Sequence, residues 1–316
     1  MTAHTFLQAM SLFTATNMFS LDTKDRSRIP VAAQKPLRKK LLWFFTLAMA
    51  VILSGCTLFS PFSKAGEEII LLSSLTKILA VDSQGFLFTS VRVKSEDRPN
   101  ILLTWKIKTT TPVLKEKAEL ALSSARIEKR EEGGLVYRIR GLSFRQEGEK
   151  IDLECSLDLV VPTGLGLEVA GNQIDIEGGF RSIESKGGKT KIILKKRAES
   201  LRAEAISSPL TVEGDADQVF LRTIAPFSIF PENVDISLKT ILKGKTYSLN
   251  SMGSIELLVP QDATGLLNAP QRTKIGVPFV ALSSDKTRRV IGYLNGLDGR
   301  IINLDAGKEV VLRPLP

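Results

Sequence analysis

Histidine is almost missing from this 316-residue chain: the single one, His4, lies close to the start. Its absence downstream excludes histidine-based triads, histidine general bases and histidine metal sites together. Cysteine is nearly as scarce. Cys56 and Cys155 are too few for a zinc site, and if Cys56 is consumed by processing, Cys155 has no disulfide partner. Aromatic residues make up 6% of the chain. Nucleotide-binding loops are lacking too. Gly188-Lys189-Thr190 would need a glycine at 183, where Ile183 stands, and Gly244-Lys245-Thr246 finds Lys239 in the corresponding place. Gly164, Gly166 and Gly171 miss the dinucleotide spacing. No cofactor or metal is expected.

Few residues remain as candidates for catalysis. Ser74 to Lys77 and Ser283 to Lys286 share the S-x-x-K spacing of serine–lysine nucleophiles, but neither has the S-D-N or K-T-G companions. The carboxylate pairs Asp152/Glu154 and Asp175/Glu177 recur at strand period, which turns them outward to solvent rather than toward one glycosidic bond. The expectation is a non-enzyme with no catalytic residue. A histidine-free envelope hydrolase is the enzyme alternative.

A leader is present. Lys35, Arg38, Lys39 and Lys40 precede the apolar run Leu41 to Ile52, which closes on Leu53-Ser54-Gly55-Cys56. A run of that length suits a signal segment and falls short of the roughly 20 residues that span a bilayer. The closing four residues resemble the lipobox of bacterial lipoproteins. That resemblance implies cleavage between Gly55 and Cys56 and lipidation, palmitate included, at Cys56, with the membrane as a partner through the anchor. The alternative is a single-pass inner-membrane anchor, with the run counted on to Phe59 or Phe62. In both readings the positive flank stays inside and the rest is exported, to the outer membrane or cell surface if the envelope has two membranes. The leader occupies 1–55. Residues 1–30 are set aside from the fold, with Met18 or Val31 as alternative starts. Residues 56–80 are expected as tether and lead-in, and 81–316 as the folded domain.

The net charge of +9 invites a nucleic-acid reading until it is divided. Residues 1–55 hold seven Lys/Arg against two Asp/Glu, so only +4 remains downstream. Lys186, Lys189, Lys191, Lys195, Lys196 and Arg197 alternate or sit at turns without interleaved aromatics, which predicts a solvated face and no nucleic-acid partner.

Period-two patterning predicts an all-β domain. Its clearest strand is Lys150 to Val161, with Ile151, Leu153, Cys155, Leu157, Leu159 and Val161 on one face, which makes Cys155 a buried small hydrophobe. Further strands are predicted at 86–93, 101–108, 135–139, 247–259, 289–294 and 310–312. Residues 67–80 fit either a helix or a buried strand. Ile174, Ile183, Ile192, Leu201, Leu210 and Val219 recur every nine residues, most with an apolar companion two residues on. A β-solenoid-like domain with a nine-residue coil predicts Ile183 beside Ile192, and Ile192 beside Leu201. The alternative is an antiparallel β-sandwich.

Several segments, in order, carry a further resemblance: 157–162 (LDLVVP) with 166–169, 174–178 (IDIEG), 253–260 (GSIELLVP) with Asp262-Ala263, and 292–296 (GYLNG) with 302–304. Together they resemble the putative-adhesin family of bacterial envelope proteins. The resemblance implies a β-solenoid-like fold and an adhesin-like binding or structural role toward a protein or polysaccharide. It brings no catalytic or ligand residues. A periplasmic, membrane-associated accessory or stress-response protein is the alternative.

Overall fold

The computed structural model describes residues 62–110, 114–144, 151–226, 233–284, 288–296 and 298–316. The leader, the apolar run, Gly55 and Cys56 lie outside them, as does Lys286. Alternation of apolar and polar residues produces strands along nearly the whole described chain, and the domain is all-β. First come β1 (Ser63–Leu71), β2 (Ile78–Gln84), β3 (Phe88–Glu96) and β4 (Asn100–Thr109). The one helix among the described residues, α1 (Lys115–Ser123), follows. Next are β5 (Ala125–Glu132), β6 (Val136–Ser143) and β7 (Leu153–Pro162), then two long strands, β8 (Gly166–Gly178) and β9 (Ser182–Leu194). Short strands continue as β10 (Ala198–Ile206), β11 (Leu210–Glu213), β12 (Ala216–Ile224), β13 (Ile236–Lys239), β14 (Thr246–Ser251) and β15 (Ile255–Val259). The chain closes with β16 (Gly265–Pro270), β17 (Lys274–Ile275), β18 (Phe279–Ser284), β19 (Arg289–Leu294), β20 (Ile301–Ala306) and β21 (Val310–Pro314).

These strands form two ladders. The first runs β5, β6, β2, the leading halves of β8 and β9, then β10, β12, β14, β20, β16, β19 and β18. The second runs β1, β4, β7, β3, the trailing halves of β8 and β9, then β11, β13, β15, β21 and β17. Pairing is parallel from β6 to β16 in one and from β7 to β17 in the other, the direction that stacked coils require. Antiparallel strands occur only at the ends: β5, β19 and β18 on the first ladder, β1 and β4 on the second. Both ladders turn their apolar residues into one continuous core, in which Leu201 and Val212 are 1% exposed and Leu257 is fully buried.

The nine-residue recurrence is one side of a coil, not a whole one. Leu201 pairs in register with Ile183 on one neighbour and Val219 on the other, eighteen residues away each time. Ile192 pairs with Ile176 and Val212 in the opposite ladder, so Ile183 and Ile192 are not stacked neighbours. Geometry requires the doubling. Facing sheets stand about 10 Å apart, and at about 3.3 Å per residue nine residues make one wall and a corner, with nothing left to return along the other wall.

Where β8 and β9 pass from one ladder to the other, the corners nearly touch. A Cβ on Gly187 would come within 1.8 Å of the Gly171 carbonyl oxygen, and one on Gly188 within 2.1 Å of that of Asn172. Only glycine permits this approach.

At both ends the stacking order departs from the chain order. β2 and β3 are covered by the later β6 and β7, and β20 and β21 insert between β14–β15 and β16–β17. α1 touches β4 and β5, one from each ladder, and buries Ala118 and Leu122, closing that end of the core. The region expected as tether and lead-in therefore belongs to the sheet where it is described. Residues 67–80 are the end of β1, a turn and the start of β2, with no helix. The segment predicted as one strand over 247–259 is two, β14 and β15, with a corner between them.

β7 has the predicted faces: Leu153, Cys155, Leu157, Leu159 and Val161 are buried, and burial pushes the Cys155 thiol up to about 12. Leu157→Asp should destabilise by several kcal/mol, on the order expected for an unpaired charge in a core. Asp158→Asn on the outer face loses only the exposed pair with Arg92 at 3.2 Å and should cost less than about 1 kcal/mol. Urea midpoints of the two variants measure the difference, and coincident midpoints would contradict the face assignment.

Candidate functional site

With apolar residues turned inward, chemistry is left to the two outer walls, where register sets side chains in columns one coil apart. The wall of the second ladder is laced by cross-strand ion pairs. They include Lys108–Glu154 at 2.7 Å, Lys195–Glu177 at 2.6 Å, Lys239–Glu213 at 2.7 Å and Arg313–Glu256 at 3.4 Å. Such pairs fix strand neighbours.

The first ladder's wall carries such pairs as well, Lys186–Glu204 at 3.6 Å and Arg222–Glu204 at 3.9 Å among them. Near its start, Asp82 is clasped by Arg140 (Nε to Oδ1, 2.6 Å) and Arg138 (Nη1 to Oδ2, 2.9 Å), and Arg138 also binds Glu132 at 3.0 Å. Farther along runs the column Glu168, Glu184, Arg202, Phe220, each in register with the next on successive coils. Among the described residues, neither Glu168 nor Glu184 makes an ion pair or a hydrogen bond through its carboxylate. The Arg202 guanidinium lies over the Phe220 ring, 5.2 Å from its centroid, and Phe220 remains 36% exposed. Beside this column stand Ser182, Ser200 and Gln218. Because the two serines are short, a groove of about 420 Å³ opens over the edges of Leu167, Ile183 and Leu201. A second hollow of about 260 Å³ adjoins it, over Ala80 and Ala170, and shares Glu168 and Glu184. The result is a shallow channel lined by carboxylates (Asp82, Glu168, Glu184) and cations (Arg138, Lys186, Arg202) alike, with Phe220 at one end.

A buried polar knot holds the corner before β14. Asp215 accepts hydrogen bonds from the Tyr247 hydroxyl, the Lys243 amide at 2.7 Å and the Thr240 hydroxyl at 3.1 Å, and the Gly244 amide donates to the Tyr247 oxygen at 2.6 Å. Burial, then the Asp215 hydrogen bond, raises the Tyr247 phenol well above its ordinary value. Every polar atom named is satisfied within the protein, which marks the knot as structural.

Comparison with known proteins gives little. No family model matches the chain, and no curated protein does. Among solved structures, a putative adhesin from Parabacteroides merdae is 10% identical, over 79% of this chain and 96% of its own, with a TM-score of 0.33. A putative cell adhesion protein from Clostridium sporogenes is 11% identical over 80% of this chain and all of its own, with a TM-score of 0.29. A putative adhesin from Parabacteroides distasonis is 10% identical over 78% and 97%, with a TM-score of 0.30. Likeness at this level carries no functional argument.

The catalytic candidates are not brought together. Ser74 and Lys77 are exposed in the turn between β1 and β2, and Ser283 lies on β18. Glu154 pairs with Lys108, Glu177 with Lys195, and Asp175 accepts from Gln173 at 3.2 Å. Among the described residues no three of His, Cys, Asp and Glu gather to hold a metal. Sequence reasoning missed Arg202, Phe220 and the Asp215–Tyr247 knot. The available signal was Phe220 itself, an aromatic at an outward position between inward Val219 and Leu221.

Burial opposes ionisation of Asp82, but Arg140 and then Arg138 outweigh it and hold the carboxyl below the usual range. A depressed folded-state value adds stability above the unfolded pKa, about 3.9, and that stability is lost as pH falls through the folded value. Asp82→Asn should therefore cost about 1 kcal/mol at pH 7 and less at pH 2, as read from denaturant midpoints at both pH values. An equal cost at both would show that the carboxylate charge is not what binds the arginines.

Proposed function

We propose that the chain is a cell-envelope binding or structural protein, adhesin-like and non-catalytic, exported and held to the membrane through a lipid on Cys56. The observation that carries the binding part is the first ladder's outer wall: a shallow, open channel along which Glu168, Glu184, Arg202 and the partly exposed Phe220 follow one another at coil spacing. An open wall of this kind suits a long partner, a polymer or another protein, better than a small substrate enclosed in a pocket. The sequence resemblance to an adhesin family and the Leu53–Cys56 signal support the envelope setting. A periplasmic accessory role is the second reading. It would use the same walls against membrane partners without reaching the surface.

Protease treatment of intact cells, with intact-mass analysis of the mature protein, tests the proposal. Surface exposure predicts cleavage of the domain on unbroken cells, and complete protection would place it in the periplasm. The wild-type mature mass should include a diacylglyceryl thioether and an amide-linked chain, the two anchors that stable attachment requires. Cys56→Ser should lose that mass and remain unprocessed or leave the membrane. An unchanged mass and unchanged membrane partition would favour the single-pass alternative.

A further inference from the structure

We infer that β18 is a docking edge for a second copy of this chain, the two β18 strands pairing antiparallel so that two stacks join head to head; the inference deepens the reading of the chain as an envelope binding protein and rests on it. Two ladders have four ends, and three of them are guarded against a further strand. β5 carries Arg126, Glu128, Lys129, Arg130, Glu131 and Glu132, β1 carries Lys64, Glu67 and Glu68, and β17 is two residues long. Charge and shortness are common means of keeping a sheet edge unpaired. β18 has neither. Phe279–Ser284 contains no ionisable residue, β19 is its only strand neighbour among the described residues, and Val280 and Leu282 are 65% and 55% exposed.

The edge matches itself. About a two-fold axis each strand meets its own sequence reversed, and with Ala281 on the axis Val280 stands opposite Leu282 of the other copy, apolar against apolar and with no like charges. The same operation on β1 would set Glu67, at the centre of that strand, against its own copy. Val280 also ends an outward row that runs in register through Tyr293, Leu266 and Ile301, so pairing continues an apolar stripe across the axis. The position of the leader fits this partner. β1 begins seven residues after Cys56 and stands at the other end of the stack from β18, on the order of 55 Å away at about 4.8 Å per strand and beyond the roughly 25 Å that the linking residues can span. Two copies joined at β18 thus carry their anchors at opposite ends, as copies on facing surfaces would. A pair of six-residue strands buries far less than the roughly 1,000 Å² of a stable complex. Copies in dilute solution therefore stay single with β18 open, and arrays of copies gain their strength from multivalency.

Disulfide trapping at the axis is the test. Opposed Cα atoms of an antiparallel pair stand about 4.5–5.5 Å apart, within the span of a disulfide. The full chain in detergent carries Cys56→Ser, which leaves the buried Cys155 as its one native cysteine; Ala281→Cys is added, and the protein is oxidised at high concentration. A cross-linked dimer should form, whereas Lys129→Cys on the β5 edge should give about tenfold less. Val280→Lys combined with Leu282→Lys should reduce trapping by about tenfold or more, because the lysines face each other across the axis. The urea midpoint of that variant should barely move, since both positions are exposed. Mixing it with copies that carry Val280→Glu and Leu282→Glu should restore trapping between unlike copies. The inference is overturned if Ala281→Cys stays monomeric, if the lysine variant is trapped as readily, or if lysine and glutamate copies do not recover one another. Trapping of Ala281→Cys on Lys129→Cys of another copy in preference to itself would mean an open head-to-tail fibre and would equally overturn it. If trapping fails while protease removes the domain from intact cells, the pairing falls and the envelope reading stands. If trapping succeeds while the domain is wholly protected on intact cells, the pairing stands and the surface reading falls.

Discussion

In-register parallel pairing between neighbouring coils is the constraint on which the rest of the structure depends. It places Ile183, Leu201 and Val219 in one aliphatic column and Ile176, Ile192 and Val212 in another, facing each other across a shared core. Each fully buried aliphatic side chain contributes about 1.5–3 kcal/mol, and no disulfide joins the coils. Register is strongly held. A slip by one residue would turn an entire column outward and bring the wall charges into the core.

The same constraint arranges the surface. When inward residues are stacked, outward ones are stacked too, so charge signs line up or clash down a wall according to register alone. Cross-strand ion pairs form on both walls, Lys239–Glu213 on the second and Lys186–Glu204 on the first. On the first, short residues at Ser182, Ser200, Ala80 and Ala170 leave hollows, and Glu168 and Glu184 meet without a counter-ion. A polymer-sized channel thus requires no loop insertion or deep cavity, only a choice of side chains on strands whose backbone positions are already set.

The all-β class was legible in the two-residue alternation, and the face assignment of 153–161 matches the buried pattern of β7. The nine-residue recurrence was visible as well, but its meaning was not. Periodicity records how often a chain turns inward, and it does not say whether successive inward positions lie on one wall or on two. Leu201 and Ile192 are equivalent in sequence and stand in opposite ladders. Stacking order was illegible for a related reason: nothing local in 301–314 distinguishes a strand added at the end from one inserted between existing coils. The channel was hidden because its components are ordinary surface residues on β8, β9, β10 and β12, brought side by side only by pairing across 16 to 18 residues. Cys56 lies outside the described residues, and its role rests on the sequence pattern.

Insertion of the last coil gives the stack its most exposed claim. β21 pairs with β15 on one side and β17 on the other, and β20 with β14 and β16, so the chain's end is an interior layer. β18, by contrast, is an edge, with β19 as its only strand neighbour among the described residues. Native-state hydrogen exchange resolved by strand tests this directly. The account predicts that amides of Ile302 to Leu304 and of Val310 to Leu312 are protected to the level of those in β9, while β18 exchanges much faster. Exchange of β20 and β21 as fast as β18 would contradict the inserted order and the register built on it.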